Sequence, residues 1–362
     1  MKLSELDYHL PKELIAQKPC KPRDHSRLLV LDRNTGKIKH NKFYNIIDYL
    51  NNGDVLVLNN TRVIPCRILA ERQSGGLVDI LLYKQDEKDN SIWTTLINFN
   101  RRLKETEILT LVNDKSIKII LLKRLMVGWQ IKITPAINTK DLQTFGKMPL
   151  PPYIKRAKTS DVYVKADKNY YQTIYADKDG SIAAPTAGLH FTKTLITRLM
   201  KKGVRIVYIT LHVGIGTFKP IKTDIIENHR MEQEYFEVSP ETARVLLEAY
   251  RDKKRVIAVG TTTCRVLETI SGQIRVLMIH PWLEKQRVMR ASLIRGWTDL
   301  FIHPPYQFNL VQSLVTNFHL PHGTPLALVS AFAGKKQVMK AYQEAINNKY
   351  RFYSYGDAMI II

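Results

Sequence analysis

The spacing of apolar residues changes period along residues 181–220, SIAAPTAGLHFTKTLITRLMKKGVRIVYITLHVGIGTFKP. Leu195, Ile196, Leu199 and Met200 recur at helical spacing, and Gly203 supplies a stop, so a helix is expected there. The β-branched run 204–210 reads as a buried strand. It leads into a glycine loop, HVGIGTF (212–218), and the carboxyl end of a strand is where α/β folds bind ligands. Ahead of the helix, the Pro/Gly loop AAPTAGLHFT brings Pro185, Thr186, Gly188 and His190 close together. Loop, helix, strand and loop are thus expected to carry His190 and His212 toward one site.

The same reading extends along the chain. Residues 43–50 suggest a helix, and 54–58 a strand feeding Asn59, Asn60, Thr61 and Arg62, which is a ligand-loop candidate and equally an ordinary turn. From 63 to 145 short alternating runs such as LVDILLY, SIKIILL and GWQIKIT are separated by polar turns, the pattern of a small all-β barrel inserted in a larger domain. The Pro-rich segment GKMPLPPYIKRAK (146–158) crosses back. A helix follows Ser239, with serine as cap and proline in the first turn. Residues 255–259 form a strand that turns at Gly260 straight into a helix carrying Thr261, Thr262, Cys264 and Arg265. That order presents N–H groups and a partial positive charge to an anion. Further strands are expected near 275–280 and 314–317, and a helix near 335–345.

Charge sharpens this picture. The 362 residues carry 55 Lys and Arg against 33 Asp and Glu, a formal +22. Such an excess favours a polyanionic partner, nucleic acid before membrane, with a lysine-rich coding bias as the competing source. Residues 101–170 hold 15 of the basic and 6 of the acidic side chains, led by Arg101, Arg102 and Lys104. Tyr153, Lys155 and Arg156 set an aromatic among cations, suited to a base beside a phosphate and equally to a rigid linker. The longest weakly polar run, 325–334, is too short to span a bilayer, and the N-terminus lacks the apolar core of a signal peptide. Three scattered cysteines offer no disulfide framework, so a reducing cytoplasm is expected.

Several familiar sites are excluded. Lys219 stands where a dinucleotide fingerprint needs its third glycine, and no P-loop, HExxH, CxxC or GxSxG pattern occurs. No metal site is expected. His190, His212, His229 and His319 each fall in or near a loop at the end of an expected element, which points to a site more strongly together than singly. Cys264 at a helix start reads as a small packing residue.

The stretches DVLVLNNTRVIPCRI, GKMPLPPYIKR, AAPTAGLHFT, LHVGIGTFKPI, VGTTTCRVLET, LVTNFHLPHGT and YSYGDAM closely resemble one family, the S-adenosylmethionine:tRNA ribosyltransferase-isomerases of queuosine biosynthesis. The likeness runs from end to end. It implies a large α/β barrel-like domain, here residues 1–62 and 148–362, interrupted by a small inserted β-barrel domain at 63–147. It implies S-adenosylmethionine as co-substrate with no separate cofactor. The ribosyl group would pass to 7-aminomethyl-7-deazaguanine at a tRNA wobble position, giving epoxyqueuosine, adenine and methionine. A cytoplasmic monomer with no membrane partner is expected.

On this resemblance His190 or His212 would be the base, or the acid for adenine. Arg265 with the Thr261 and Thr262 backbone would hold the methionine carboxylate or a tRNA phosphate, and Phe191 or Phe218 would face the sulfonium. Asn317, His319 and Asp357 would orient ribose hydroxyls or the deazaguanine edge. Thr61, Arg62, Gly214, Gly216, Thr217 and Gly260 complete the expected substrate contacts, beside the Pro185–Thr186–Gly188 loop. Arg101, Arg102, Lys104, Tyr153, Lys155 and Arg156 would meet tRNA. The chain departs from the family at Glu232, where a histidine is usual, and at Cys264, usually aliphatic. The rival of another class is a non-catalytic tRNA-binding protein on the same fold.

Overall fold

The computed structural model describes residues 1–99, 102–156, 161–218, 220–279 and 293–362; at 161–164, 217, 218, 275 and 277–279 only the backbone is considered. The chain divides into two compact units, Met1–Arg62 with Pro152–Lys155 and Gln172–Ile362, and Val63–Pro151 with Arg156–Tyr171.

The larger unit opens with β1 (Arg27–Leu31), β2 (Ile38–Lys42) and β3 (Val55–Asn59), followed by the short β4 (Thr61–Val63). Residues 43–49 form the helix expected there, wound as a 3-10 helix. In the smaller unit come β5 (Arg67–Arg72), β6 (Leu77–Gln85), β7 (Ile92–Asn98), β8 (Ile108–Leu111), β9 (Lys118–Arg124), β10 (Trp129–Thr134), α1 (Thr139–Phe145) and α2 (Asp161–Tyr170). The larger unit resumes with β11 (Lys178–Ser181), α3 (Lys193–Lys201), β12 (Arg205–Leu211), β13 (Glu234–Val238), α4 (Pro240–Arg251), β14 (Val256–Val259) and α5 (Thr261–Ile279). It closes with β15 (Ile294–Thr298), β16 (Ser313–Asn317), α6 (Thr324–Ala333), α7 (Lys335–Asn347) and β17 (Ala358–Ile361). The strand expected near 275–280 is instead the last turn of α5, because Ile270 and Ile274 continue the helical apolar stripe begun by Val266 and Leu267.

Strands β5 to β10 close a barrel in the order β10-β7-β6-β5-β8-β9. Burial alternates along them, with Val78, Ile80 and Leu82 inside and their neighbours partly open, which is why this region reads at period two. The large sheet is mixed and has nine strands, β15-β13-β12-β3-β14-β16-β17-β1-β2. Its central strands β12, β3, β14 and β16 run parallel, and β3, β14 and β16 are buried at every position. One face packs on α4, α5, α6 and α7 through residues such as Val57, Ile209, Leu246, Val266 and Ala327. The other packs on α3 and the 43–49 helix through Leu56, Leu58, Phe43, Leu195 and Val315. Each such fully buried aliphatic side chain contributes about 1.5–3 kcal/mol. Among the described residues no helix is long and apolar enough to cross a membrane.

Candidate active site

Parallel pairing fixes where the polar loops go. The carboxyl ends of β12, β3, β14 and β16 lead to His212, Asn60, Gly260 and Phe318, all on one edge of the sheet. β13, β17 and β1 start on that edge, since Phe236 pairs with Leu211, Ala358 with Asn317, and Leu28 with Ala358. Chain order reverses between β3 and β14, the switch point at which open α/β sheets bind ligands.

His190 sits on this edge beside β16 and β1, and it is 5 % exposed. The Asn317 amide donates from Nδ2 to the Tyr353 carbonyl at 3.2 Å, which fixes its orientation. The same Nδ2 lies 3.2 Å from His190 Nε2, so that ring nitrogen accepts and Nδ1–H donates to Ser26 Oγ at 2.7 Å. Phe43 stacks on the ring, and burial holds its pKa down to about 4, against the pull of the Asp357 carboxylate. Asp357 itself accepts from the Arg27 and Arg351 backbone N–H groups and pairs with the Arg351 guanidinium at 3.1 Å. In this knot both imidazole nitrogens are already engaged, while the buried Asn317 Oδ1 has no partner among the described residues.

His212 lies across β3 and β14 from that knot, about 14 Å away at normal strand spacing. Its Nδ1 meets Thr61 Oγ1 at 2.8 Å, and the ring stacks toward Tyr235. Gly180, at φ +143°, packs on the ring so closely that a Cβ would fall 2.9 Å from it. Nε2 has no hydrogen-bond partner among the described residues. Burial lowers the His212 pKa, partly opposed by Glu237 and Asp179, so the ring is neutral near pH 7, and Nε2 carries the lone pair in the tautomer whose Nδ1–H donates to Thr61. His229 likewise has a lowered pKa and packs edge-on to Phe301.

Glu234, at the first position of β13, ties the His212 loop to α5. One carboxylate oxygen accepts the Gly214 N–H at 2.9 Å, and the other pairs with Arg265 Nη1. Arg265 also donates from Nε to the Leu300 carbonyl and from Nη2 to the Thr298 carbonyl. Both side chains are buried. Sequence reading passed over Glu234, although it shares the inward parity of Phe236 and Val238 and is the acid in that row. A cleft of about 350 Å3 opens beside Arg265, with Thr261, Thr262 and Thr324 among its polar walls and Met231, Leu300 and Phe301 among its apolar ones.

A model of the family described as queuosine biosynthesis protein matches residues 3–361. The chain belongs to this family. It is 46 % identical over 363 residues to the S-adenosylmethionine:tRNA ribosyltransferase-isomerase of a Sulfurihydrogenibium species, covering 100 % of both chains. The Thermotoga maritima protein of the same name also shares 46 % identity over 363 residues at full coverage. A crystal structure of an S-adenosylmethionine tRNA ribosyltransferase from Thermotoga maritima matches with a TM-score of 0.53 and 38 % identity, over 99 % of this chain and 100 % of that one.

The remaining family positions fall into distinct surroundings. His319 is bound through Nε2 to Thr316 Oγ1 at 2.6 Å, and burial drives its pKa down to about 3. Pro185 caps the 3-10 turn Thr186–His190, and a Cβ on Gly188 would collide with the Tyr175 hydroxyl at 2.0 Å. Phe191 is wholly buried edge-to-face with Phe43, so its ring belongs to the core and turns no face to a sulfonium. Thr217 and Phe218 lie in the 3-10 turn Ile215–Phe218, and their side chains are outside the description. A Cβ on Gly216 would lie 3.2 Å from the Glu232 Cβ, so the departure at 232 packs against the glycine loop.

Thr61 is fully buried, and Arg62 donates to the Ala176 carbonyl and pairs with Asp179 at 3.3 Å. Cys264 is fully buried in the helix-side core with its thiol pushed well up by burial, which suits packing and not nucleophilic attack. Tyr153 donates or accepts at Ser354 Oγ, 2.7 Å away, and leans on Tyr353, while Arg156 forms a two-pronged pair with Asp167. Neither side chain is held free for stacking. Arg102, Lys104 and Lys155 are exposed, and Arg101 is outside the described residues. Among the described residues no group of His, Cys, Asp and Glu is arranged to hold a metal ion.

Proposed function

We propose that the protein transfers the ribosyl group of S-adenosylmethionine to 7-aminomethyl-7-deazaguanine at the wobble position of tRNA and isomerises it to the epoxycyclopentane of epoxyqueuosine. The observation that carries this reading is the convergence of the loops beginning at 185, 212, 260 and 317 on one sheet edge across the switch point. S-adenosylmethionine is consumed, so it is a co-substrate.

The sulfonium acidifies the ribose C5′ hydrogens, and a neutral base removes one. His190 has both ring nitrogens bonded, and of the two rings bonded at one nitrogen His212, on the glycine loop after β12, takes that role. His190 and His319 hold the Asn317 and Thr316 side chains in place as neutral rings. The adenine that leaves takes a proton at a ring nitrogen, and methionine leaves with the electron pair of its C–S bond. The tRNA amine attacks in its neutral form. The wobble base reaches the site from a single-stranded anticodon loop, where unstacking costs less than in a duplex. Exposed Arg102, Lys104 and Lys155 supply phosphate contacts, and the protein works as a cytoplasmic monomer.

The test incubates purified protein with S-adenosylmethionine and tRNA bearing the aminomethyl base, then measures free adenine and nucleoside mass. Adenine with the epoxyqueuosine mass is expected. S-adenosylhomocysteine in its place, or tight tRNA binding with no adenine, overturns the reading in favour of methyl transfer or of a binder.

A further inference from the structure

Two helix N-termini meet at one cleft of the larger unit. Thr261 and Thr262 open α5, Thr324 and Pro325 open α6, and all four line the space of about 350 Å3 beside Arg265. A helix leaves its first N–H groups unsatisfied, and a buried start without caps calls for an outside acceptor. At α6 no side chain caps the start. The Cys264 N–H is the first in α5 to find its own helix, bonding to the Gly260 carbonyl. Thr261, Thr262 and Thr324 therefore keep open N–H groups among the described residues.

Side chains give an independent sign. Thr262 is 9 % exposed and Thr324 is 7 % exposed. Neither hydroxyl has a hydrogen-bond partner among the described residues, and neither oxygen is shut away from solvent, so both are open to a ligand. Both border the cleft. Two hydroxyls, several open amides and two helix dipoles thus converge on a single small volume, which is an anion cradle. The guanidinium of Arg265 stands in its wall with three of its five N–H donors given to Glu234 and two carbonyls, so it adds positive field beside the amides and hydroxyls.

We infer that this cleft binds the carboxylate of the methionyl arm of S-adenosylmethionine, an inference that rests on the proposed reaction and locates one end of its co-substrate. The apolar remainder of the lining decides against a phosphodiester. Met231, Leu300, Phe301, Ile302 and Leu328 suit an alkyl thioether chain and would strip water from a phosphate without replacing it.

Binding to the full-length protein tests this without relying on turnover. Radiolabelled S-adenosylmethionine is displaced by L-methionine, by L-methioninol, which lacks the carboxylate, or by inorganic phosphate. L-methionine is expected to compete at least about 10-fold better than methioninol. In T262V/T324V, affinity for S-adenosylmethionine and L-methionine should fall about 10- to 100-fold, with methioninol and tRNA affinities unchanged and T262S near wild type. Equal competition by methionine and methioninol in the unaltered protein overturns the inference even if the variant fails to fold. So does displacement by phosphate together with weakened tRNA binding in the variant, which assigns the cleft to the RNA backbone. Carboxylate-dependent binding without adenine release would leave the cleft assignment standing and remove the reaction.

Discussion

The two histidine turns at the edge of the large sheet look alike in sequence and differ in what their neighbours leave undone. Around His190 both ring nitrogens, the Asn317 NH2 and the Asp357 carboxylate are bonded inside the protein. Around His212 one ring nitrogen is bonded and the other is open, on a loop whose Gly214 is anchored by Glu234. Saturation makes a group structural, because a ligand must first break what holds it. An unspent donor or acceptor at a strand's carboxyl end is what remains for chemistry.

The sharpest way to break this contrast is to remove each ring. His212→Ala should lower adenine release about 10²- to 10⁴-fold while costing only about 1–2 kcal/mol of stability for the stranded Thr61 hydroxyl. His190→Ala should instead strand Ser26 Oγ and the Asn317 amide and leave a void, destabilising by about 2–4 kcal/mol in urea unfolding. Equal rate losses at equal stability would erase the distinction. Next in size, Glu234→Ala leaves Arg265 a buried unpaired cation and frees Gly214, costing about 3–5 kcal/mol of stability. Glu234→Gln, which keeps the acceptor for Gly214, should recover part of it. A Glu234→Ala protein as stable as the parent would show that the anchor is dispensable.

Titration separates the turns more gently. His190 binds its proton at about 4 in the folded chain and near 6.5 when unfolded, so the unfolded state takes up the extra proton in between. Its contribution, roughly 3 kcal/mol, is complete above pH 6.5 and is lost as pH falls toward 4. The buried His319 ring, held at about 3, adds to the same decline. H190Q should flatten the stability profile in that window; an unaltered slope would mean the ring is not titrating. Smallest of all, alanine at both Arg102 and Lys104 should reduce the log–log salt slope of tRNA binding by about 1.4–1.8 while leaving S-adenosylmethionine affinity alone.

Much of the architecture was legible because periodicity reports burial. The alternation of LVDILLY became a barrel strand, and the unbroken apolar runs at 55–58 and 256–259 became central parallel strands. The misreading at 275–280 has a physical cause, since its apolar residues taken alone fit either period and only the stripe from Val266 through Ile274 assigns them to α5. Site chemistry was less legible. His190, His212 and His319 could be named from loop position, but which nitrogen is already bonded depends on Ser26, Asn317, Thr61 and Thr316, distant in the chain or individually commonplace. Phe191 looked like a ligand face and proved to be core. Thr324 carried no signal at all, because a threonine ahead of a proline becomes meaningful only when a second helix starts beside it.

One edge of the large sheet bears on how the chain behaves at high concentration. β2, the terminal strand beyond β1, reads IKHNK, with Lys39, His40 and Lys42 exposed. An open strand edge is a template for a neighbouring copy, and a row of ammonium groups along it must be desolvated before any such pairing forms. Part of the positive charge therefore acts as a guard against sheet-to-sheet aggregation, whatever nucleic acid it also attracts. Neutralising Lys39 and Lys42 would expose that edge without touching the glycine loops that follow β12 and β14.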